Sequence, residues 1–354
     1  MTGGIAVVTS GFPRRSETFA LNELLALDRA GALAGVYATK AGESGPQQPD
    51  ASRLGVRVLP PGTPCEQASA LAAELDGLRV AGVHGYFAHR PAEVAALAAR
   101  RLGVPFGFSV HARDARKVPP SELAERAAAA ACVIACNADA GAEVERAGGR
   151  TDVVPHGVDL SRFRPHTRRR AEPPTVLAVG RLVEKKGFHV LLGAAARLSF
   201  PFRLRIVGEG PERTRLEAVV ADHGLSERVE LIGALTHAEL LSEYGAADIV
   251  VAPSLADGTG DRDGLPNVVL EAMACGLPVI GGDVGAMASA LDGETGLLVP
   301  PGDAASLAEA LELLARQPAL RARIGRAARS RVERDFDLER CAERFVLRLR
   351  AAYA

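Results

Sequence analysis

Apolar runs of four to seven residues alternate along the chain with longer segments rich in alanine, leucine and arginine that have a helical period. Strands buried on both faces are continuous apolar runs, and helices cover such parallel sheets on both sides. Seven strands are predicted in the first half, beginning at Ile5, Ala34, Val56, Val80, Pro105, Cys132 and Asp152. Five more begin at Thr175, Arg203, Arg228, Asp248 and Leu277. This repetition predicts an α/β protein with two doubly wound parallel sheets.

The break between the two series is residues 156–174, which contain several prolines and arginines and show no periodicity. Such a stretch is typical of a surface linker, and we interpret the arginines at 168–170 as solvated. At 354 residues the chain exceeds the usual size of one domain. We therefore predict a first domain at 1–165, a second at 166–335, and a C-terminal helix at 336–354 that packs back on the first.

Composition narrows the class of protein. A net charge of -1 gives no overall attraction to nucleic acid. The five cysteines lack the C-x-x-C spacing of zinc or redox sites, which indicates core thiols in a reducing compartment. The N-terminus enters a strand directly, without the pattern of a signal peptide, and no apolar run is long enough to span a membrane. These features predict a cytoplasmic protein.

Positive charge is concentrated after the first strand of the second series. The sequence there is VGRLVEKKGFHVLL, in which Gly180 permits a turn, Arg181 follows, and Lys185 and Lys186 open a helix. Only four lysines occur in the chain, and two of them are adjacent here. An arginine fork and a lysine at a helix N-terminus suit a diphosphate, although a solvated helix start is the alternative.

The segment DGLPNVVLEAMACG contains two carboxylates, those of Asp263, its first residue, and of Glu271. Pro266 and Gly276 predict a helix of about ten residues between them. Eight residues at 1.5 Å each separate the two acids by at most about 12 Å, whereas glycoside hydrolysis needs roughly 5 to 9.5 Å. We therefore interpret the acids as binding groups for an extended ligand. A capping aspartate with an exposed glutamate, or a metal site at DRD, are the alternatives.

These segments together resemble a known family. VGRLVEKKGFHVLLGAA, RIVGEGPER, VELIGAL, DIVVAPS, DGLPNVVLEAMACGLPVI and GETGLLVPPGD are similar to the C-terminal domain of retaining GT-B glycosyltransferases of family 4. FPRRSETFALNEL, FSVHARD and VVPHGVDLSRFRP resemble N-terminal parts of bacterial members that make polysaccharides or natural-product glycosides. The resemblance implies two Rossmann-like domains facing a cleft, with a nucleotide-sugar donor bound mainly by the second.

The resemblance also implies roles for matching residues. Arg181 and Lys186 would hold the diphosphate, Glu271 the ribose hydroxyls, and Asp263 the transferred sugar. The further donor-side positions are Gly11, Gly208, Gly264 and Leu265. The resemblance places His111 near the transferred sugar, with a buried structural histidine as the alternative. His84 and His89 come at the preceding strand end and are expected to line the acceptor side, although either could simply be packed. His156 is expected to have a structural role with Asp159. Asp263 departs from the family, which usually has glutamate there, so the donor sugar does not follow from the motif.

The implied reaction is retaining transfer of a hexosyl or N-acetylhexosaminyl group to a hydroxyl of a sugar, natural-product or lipid-linked acceptor. A UDP-sugar is favoured over a GDP-sugar, no metal or other cofactor is required, and the protein would be a monomer or homodimer. Peripheral contact with anionic lipid at the inner face of the membrane is one interpretation of five basic residues, Arg14, Arg15, Arg113, Arg116 and Lys117.

Two other functions share this architecture. One is a nucleotide-sugar epimerase that needs no acceptor, and the other is a sugar-nucleotide-binding protein without activity. A nicotinamide dehydrogenase is disfavoured, because the first strand leads into TSGFPRRSE and not into G-x-G-x-x-G.

Overall fold

The structure is a computed structural model that describes residues 3–14, 17–43, 49–111, 114–165 and 172–354. It divides into two compact units, residues 1–157 with 338–354, and residues 158–337. Each unit is built on one sheet in which every paired strand is parallel. The carboxyl ends of the strands therefore lie along one edge of each sheet, where α/β proteins bind their ligands.

The first unit contains the seven strands that the apolar runs predict. They are β1 (Gly4–Phe12), β2 (Leu33–Ala41), β3 (Arg57–Val58), β4 (Val80–Gly85), β5 (Phe106–Val110), β6 (Cys132–Ala135) and β7 (Asp152–Val153). Their spatial order is β3-β2-β1-β4-β5-β6-β7. The central strands β1 and β5 are almost wholly buried, because helices cover both faces of the sheet.

Five helices connect these strands. They are α1 (Thr18–Arg29), α2 (Pro64–Leu75), α3 (Arg90–Leu102), α4 (Pro120–Ala129) and α5 (Ala138–Arg146). Local sequence starts several of them: Thr63 and Glu66 form a capping box at α2, and the Asn137 side chain caps α5. Alanine-rich faces of α3 pack closely on the sheet.

The second unit has six strands in the order β10-β9-β8-β11-β12-β13. They are β8 (Thr175–Val179), β9 (Arg203–Val207), β10 (Val229–Gly233), β11 (Ile249–Ala252), β12 (Val279–Gly282) and β13 (Leu297–Val299). The helices are α6 (Phe188–Ala195), α7 (Arg213–Asp222), α8 (His237–Ala246), α9 (Asn267–Ala274), α10 (Ala304–Arg316) and α11 (Pro318–Asp335). The strands predicted from the sequence did not include β13.

A last helix, α12 (Leu338–Ala352), belongs to the first unit and packs against α1. Its buried residues include Phe345 and Leu349. The second unit begins at Val158, whereas the sequence predicts its start at residue 166, because Val158 and Phe163 are buried in the core of that unit. Phe336 is buried there too, so the chain returns to the first unit two residues later than the sequence predicts.

Among the described residues, no helix combines the length and apolar character needed to cross a membrane. The same residues contain no group of three or more side chains arranged to hold a metal ion.

Candidate active site

The loop after β8 is the first part of the candidate site. Gly180 follows the strand, and Arg181 is exposed, with no side-chain hydrogen bond or ion pair to another described residue. Gly208, at the end of β9, has φ +147°, and a Cβ there would lie 1.8 Å from the Gly180 carbonyl oxygen. Only glycine permits this approach. Lys185 and Lys186 lie in a short 3₁₀ turn, and α6 begins two residues later, at Phe188.

Two lysines and two aspartates form an ion-pair cluster in this unit. Lys186 Nζ lies 2.7 Å from Asp263 Oδ2, and Lys185 Nζ lies 3.4 Å from Asp263 Oδ1 and 3.1 Å from Asp261 Oδ2. Ser254 Oγ also donates to Asp263 Oδ2, at 3.1 Å. The lysines follow β8 and the other residues follow β11, its neighbour in the sheet. We call Lys185, Lys186, Asp261 and Asp263 the lysine–aspartate cluster.

Both oxygens of the Asp263 carboxylate are engaged in this cluster. Burial opposes its ionisation, but Lys186 and then Lys185 outweigh burial and hold its pKa below the ordinary value. Asp263 is therefore ionised at neutral pH. Each lysine ammonium has three N–H donors, so Lys186 keeps donors for a ligand while it contacts Asp263.

The segment after Asp263 presents free backbone groups. Among the described residues, the N–H groups of Gly264 and Leu265 donate no hydrogen bond. The segment is held by Gly285 (φ +63°), where a Cβ would lie 2.1 Å from the Asp263 carbonyl oxygen. The predicted helix is shorter than expected: α9 has eight residues and Pro266 precedes it as the N-cap. Gly264, Leu265 and Pro266 are not helical, so the estimated 12 Å along a helix does not apply.

Glu271 lies within α9 and has a partner that the sequence pattern did not reveal. Its Oε2 accepts a hydrogen bond of 2.8 Å from the Tyr244 hydroxyl, which comes from α8. Burial raises the pKa of Glu271, although Tyr244 and then Arg162 act in the opposite direction. Phe163 contacts the Tyr244 ring edge-to-face, with centroids 6.0 Å apart. Tyr244 could not be found from sequence, because its spacing in α8 is that of an ordinary core residue.

The predicted acceptor-side role of His84 is wrong. His84 has no exposed surface; its ring nitrogens lie 2.9 Å from the Tyr353 hydroxyl and 2.8 Å from Ser109 Oγ. Tyr353 follows α12, so the C-terminal segment covers the histidine. Burial lowers the pKa of His84 to about 3, which keeps it neutral in the core.

Acid is expected to destabilise the first unit through His84. Because the folded pKa lies near 3 and the ordinary value is 6.5, the unfolded chain binds a proton first, and stability is lost as the pH falls below 6.5. The loss amounts to about 2 kcal/mol at pH 5. His84→Gln removes this titration, so its melting temperature should fall less than that of the wild type between pH 7.5 and 5. Equal slopes would contradict the assignment.

His111 and His89 remain near the carboxyl edge of the first sheet. His111 follows β5, and its ring contacts Phe87, with centroids 4.9 Å apart, and His156, at 5.2 Å. Its buried Nδ1 has no hydrogen-bond partner among the described residues. Burial holds its pKa well below the ordinary value, so the ring is neutral. His89 is half-buried and stacks on Phe87, with centroids 5.7 Å apart.

His156 does not pair with Asp159, as the sequence suggests. Its Nδ1 lies 2.8 Å from Glu23 Oε1, while Asp159 accepts hydrogen bonds from the turn that follows it. Burial alone would lower the pKa of His156, but Glu23 and then Cys136 outweigh burial and raise it to about 10. Glu23 also accepts a hydrogen bond from the Tyr86 hydroxyl. The buried pair was invisible in the sequence because its partners lie on distant elements.

The other predicted positions have mixed outcomes. Gly11 lies within β1, opposite Lys40 of β2, and not in a loop. Arg116 is a poor candidate for lipid contact, because its guanidinium lies 3.4 Å from both Asp139 and Glu143. Arg15, Arg113 and the run 168–170 lie outside the described residues.

Two family models match the chain. Residues 161–331 match Glycosyl transferases group 1, and residues 16–162 match Glycosyltransferase Family 4. Among solved structures, the Anabaena protein HepE in complex with UDP superposes with a TM-score of 0.84 at 19% identity, covering 98% of this chain and 100% of that one. Sucrose-phosphate synthase from Thermosynechococcus elongatus has a TM-score of 0.75 at 24% identity, covering 99% of each chain. The fold is therefore that of the GT-B glycosyltransferases.

Curated relatives agree with this class. D-inositol 3-phosphate glycosyltransferase of Pseudarthrobacter chlorophenolicus is 39% identical over 200 residues, 52% of this chain and 46% of the relative. The amylovoran biosynthesis glycosyltransferase AmsK of Erwinia amylovora is 33% identical over 193 residues, 53% of this chain and 47% of the relative. The match thus spans about half the length of these relatives. Together the two models match residues 16–331, so both halves of the chain are similar to glycosyltransferases, the first half to Glycosyltransferase Family 4 and the second half to Glycosyl transferases group 1.

Proposed function

We propose that this protein transfers a hexosyl or N-acetylhexosaminyl group from a nucleotide-diphosphate sugar to an acceptor hydroxyl, with retention of the anomeric configuration. The lysine–aspartate cluster is the observation that carries the proposal. It places the Lys186 ammonium and the ionised Asp263 carboxylate 2.7 Å apart, beside the free amides of Gly264 and Leu265. A diphosphate needs cationic donors, and a sugar needs a carboxylate and amides for its hydroxyls.

In this mechanism the bond from the anomeric carbon to the phosphate oxygen breaks. Negative charge grows on the diphosphate, and Lys186 and Arg181 stabilise it, which is usually the largest catalytic contribution. Asp263 is a poor nucleophile, because Lys185, Lys186 and Ser254 engage both of its oxygens. We therefore favour attack by the acceptor hydroxyl on the same face, with its proton passing to the leaving phosphate oxygen.

We assign further roles to residues of each unit. Glu271, held by Tyr244, would accept hydrogen bonds from the ribose hydroxyls. His111, with its unpartnered Nδ1, would contact the transferred sugar, and His89 would lie on the acceptor side. A UDP-sugar is favoured, because HepE was solved with UDP and with UDP-glucose. A GDP-sugar is the second choice, since the mannosyltransferase of Corynebacterium glutamicum, 35% identical over 208 residues, is GDP-mannose-dependent. We propose no metal or other cofactor.

A thermal-shift panel of UDP-, GDP- and TDP-sugars tests donor binding. A ligand at 100 times its Kd adds about 2.7 kcal/mol to the free energy of unfolding, which raises the melting temperature by several degrees. The preferred donor is then incubated with candidate acceptors, and NMR assigns the anomeric configuration of the product. An inverted product would refute retention. Conversion of the donor without an acceptor would indicate an epimerase, and binding without consumption would indicate a binding protein.

A further inference from the structure

The lysines of this chain have an unusual distribution. The chain has 42 lysines and arginines, and only Lys40, Lys117, Lys185 and Lys186 are lysines. Lys185 and Lys186 lie in the lysine–aspartate cluster of the second unit. Lys40 lies at the end of β2, and Lys117 lies in the 3₁₀ turn that follows β5. The other two lysines are therefore at the carboxyl edge of the first sheet.

Contacts around Gly11 bring Arg14 and Lys40 together. Gly11 pairs with Lys40 in the register of β1 and β2. A Cβ built on Gly11 would lie 3.2 Å from Lys40 Cγ and 3.3 Å from Arg14 Nη2. The two cationic side chains thus both lie next to a position that has no side chain. A larger residue at position 11 would occupy the space beside both of them.

Lys117 adds a third charge from the neighbouring strands. Lys117, Lys40 and Arg14 all lie close enough to His89 for their charges to act on it. His89 stacks on Phe87, which in turn contacts His111, whose buried Nδ1 has no hydrogen-bond partner among the described residues. The strands involved, β2, β1, β4 and β5, are consecutive in the sheet. We call Arg14, Lys40 and Lys117 the cationic edge.

Carboxylates compensate the cationic edge only in part. Arg14 Nη1 lies 3.2 Å from Glu17 Oε1, and burial raises the pKa of Glu17. Glu43 also lies within electrostatic reach of Glu17. Lys40 and Lys117 are exposed, and neither forms an ion pair within the described part of the chain. Two ammonium groups without an ion pair among the described residues thus lie at the edge where α/β proteins bind ligands. Glu17 and Asp114 lie within electrostatic reach of Lys117, but neither pairs with it directly.

We propose that the cationic edge binds the phosphate group of an anionic acceptor, whose hydroxyl would lie beside His111. This inference rests on the proposed glycosyl transfer and specifies the acceptor class. Two lysines and an arginine suit a phosphate, because they supply point charges and a bidentate fork. Neutral sugars and neutral natural products would gain nothing from these three charges. The phosphate group belongs either to a soluble sugar phosphate or to a lipid headgroup, and the experiment distinguishes these sources.

The test compares two double charge reversals in full-length protein saturated with UDP, which occupies the donor site. Lys40→Glu/Lys117→Glu reverses the charge at two of the three residues of the cationic edge. Arg29→Glu/Arg79→Glu makes the same charge change at two exposed arginines that precede β2 and β4, at the opposite edge of the sheet. Glucose 6-phosphate is titrated against glucose, and vesicles of phosphatidylglycerol with phosphatidylcholine are compared with vesicles of phosphatidylcholine alone.

We expect the wild type to bind one phosphate-bearing probe at least about tenfold more tightly than its neutral counterpart, with weaker binding at higher salt. The Lys40→Glu/Lys117→Glu variant should lose this preference, while the Arg29→Glu/Arg79→Glu variant keeps it and both bind UDP like the wild type. No preference for either phosphate-bearing probe, or an equal loss in both variants, would overturn the inference. Failure of the wild type to bind any nucleotide sugar would refute the proposed function instead, and the comparison of the two variants would still report on the first unit.

Discussion

Lys186→Ala is expected to lower turnover by about 100-fold or more, with a smaller change in donor affinity. Lys186 lies in the loop that follows β8 and contacts Asp263 with one of its three donors. Its charge is needed most when the diphosphate leaves, and loss of one such preorganised donor costs about 10²–10³ in rate. Single-turnover measurements at saturating donor isolate this step from binding and product release.

Lys185→Ala provides the matched control, because the two lysines are adjacent but differ in their surroundings. Lys185 is buried and pairs with Asp261 and Asp263, so its loss leaves a buried carboxylate short of a partner. We expect it to lower the free energy of unfolding by roughly 3 kcal/mol, while turnover per folded molecule changes less than in Lys186→Ala. Wild-type turnover in Lys186→Ala would remove the central assignment of the proposed mechanism.

Glu271→Gln is expected to change stability and donor affinity in opposite directions. Because burial raises the pKa of Glu271, its ionised form destabilises the folded state at neutral pH, and the neutral amide should raise the melting temperature. The amide oxygen of the substituted side chain would accept less strongly from the ribose hydroxyls than the carboxylate does, so the donor Kd should rise about tenfold. Thermal melts without ligand and calorimetric titration with donor measure the two effects separately.

The pH dependence of donor binding gives a second measurement on the same residue. Wild-type affinity should fall as the pH drops toward the raised pKa of Glu271, and Glu271→Gln should not show this fall. Tyr244→Phe removes the hydrogen bond that lowers this pKa, so the loss of affinity should begin at a higher pH. Unchanged affinity in Glu271→Gln at pH 7.5 would count against a ribose contact.

Much of the fold followed from local patterns. All seven strands of the first unit and five of the six in the second were predicted. For the buried strands the reason is that a continuous apolar run indicates burial on both faces. The positions of Arg181, Lys186 and Asp263, in segments that follow strands of the second sheet, were predictable in the same way. In parallel sheets every strand end is directed to one edge, so no knowledge of the tertiary contacts is needed.

The side-chain partners of these residues were not predictable from the sequence. The sequence predicts Lys186 and Asp263 at strand ends, but their ion pair depends on β8 and β11 being neighbours, which the order of crossovers decides. Tyr244 and Glu271 meet because α8 and α9 cover the same face of the sheet. The helix after Asp263 is also shorter than the sequence predicts, since α9 begins only at Asn267.

His84 and His156 show most clearly what the sequence could not predict. Both follow or end strands in the way that site residues do, yet Tyr353 from the far end of the chain covers His84, and Glu23 from α1 binds His156. The sequence alone determined the class of fold, the strands and the strand ends where charged groups gather, because these depend on the local alternation of apolar and polar residues. Only the tertiary structure decided which of those groups are buried, ionised or paired, because burial and pairing arise from elements that are distant in the chain.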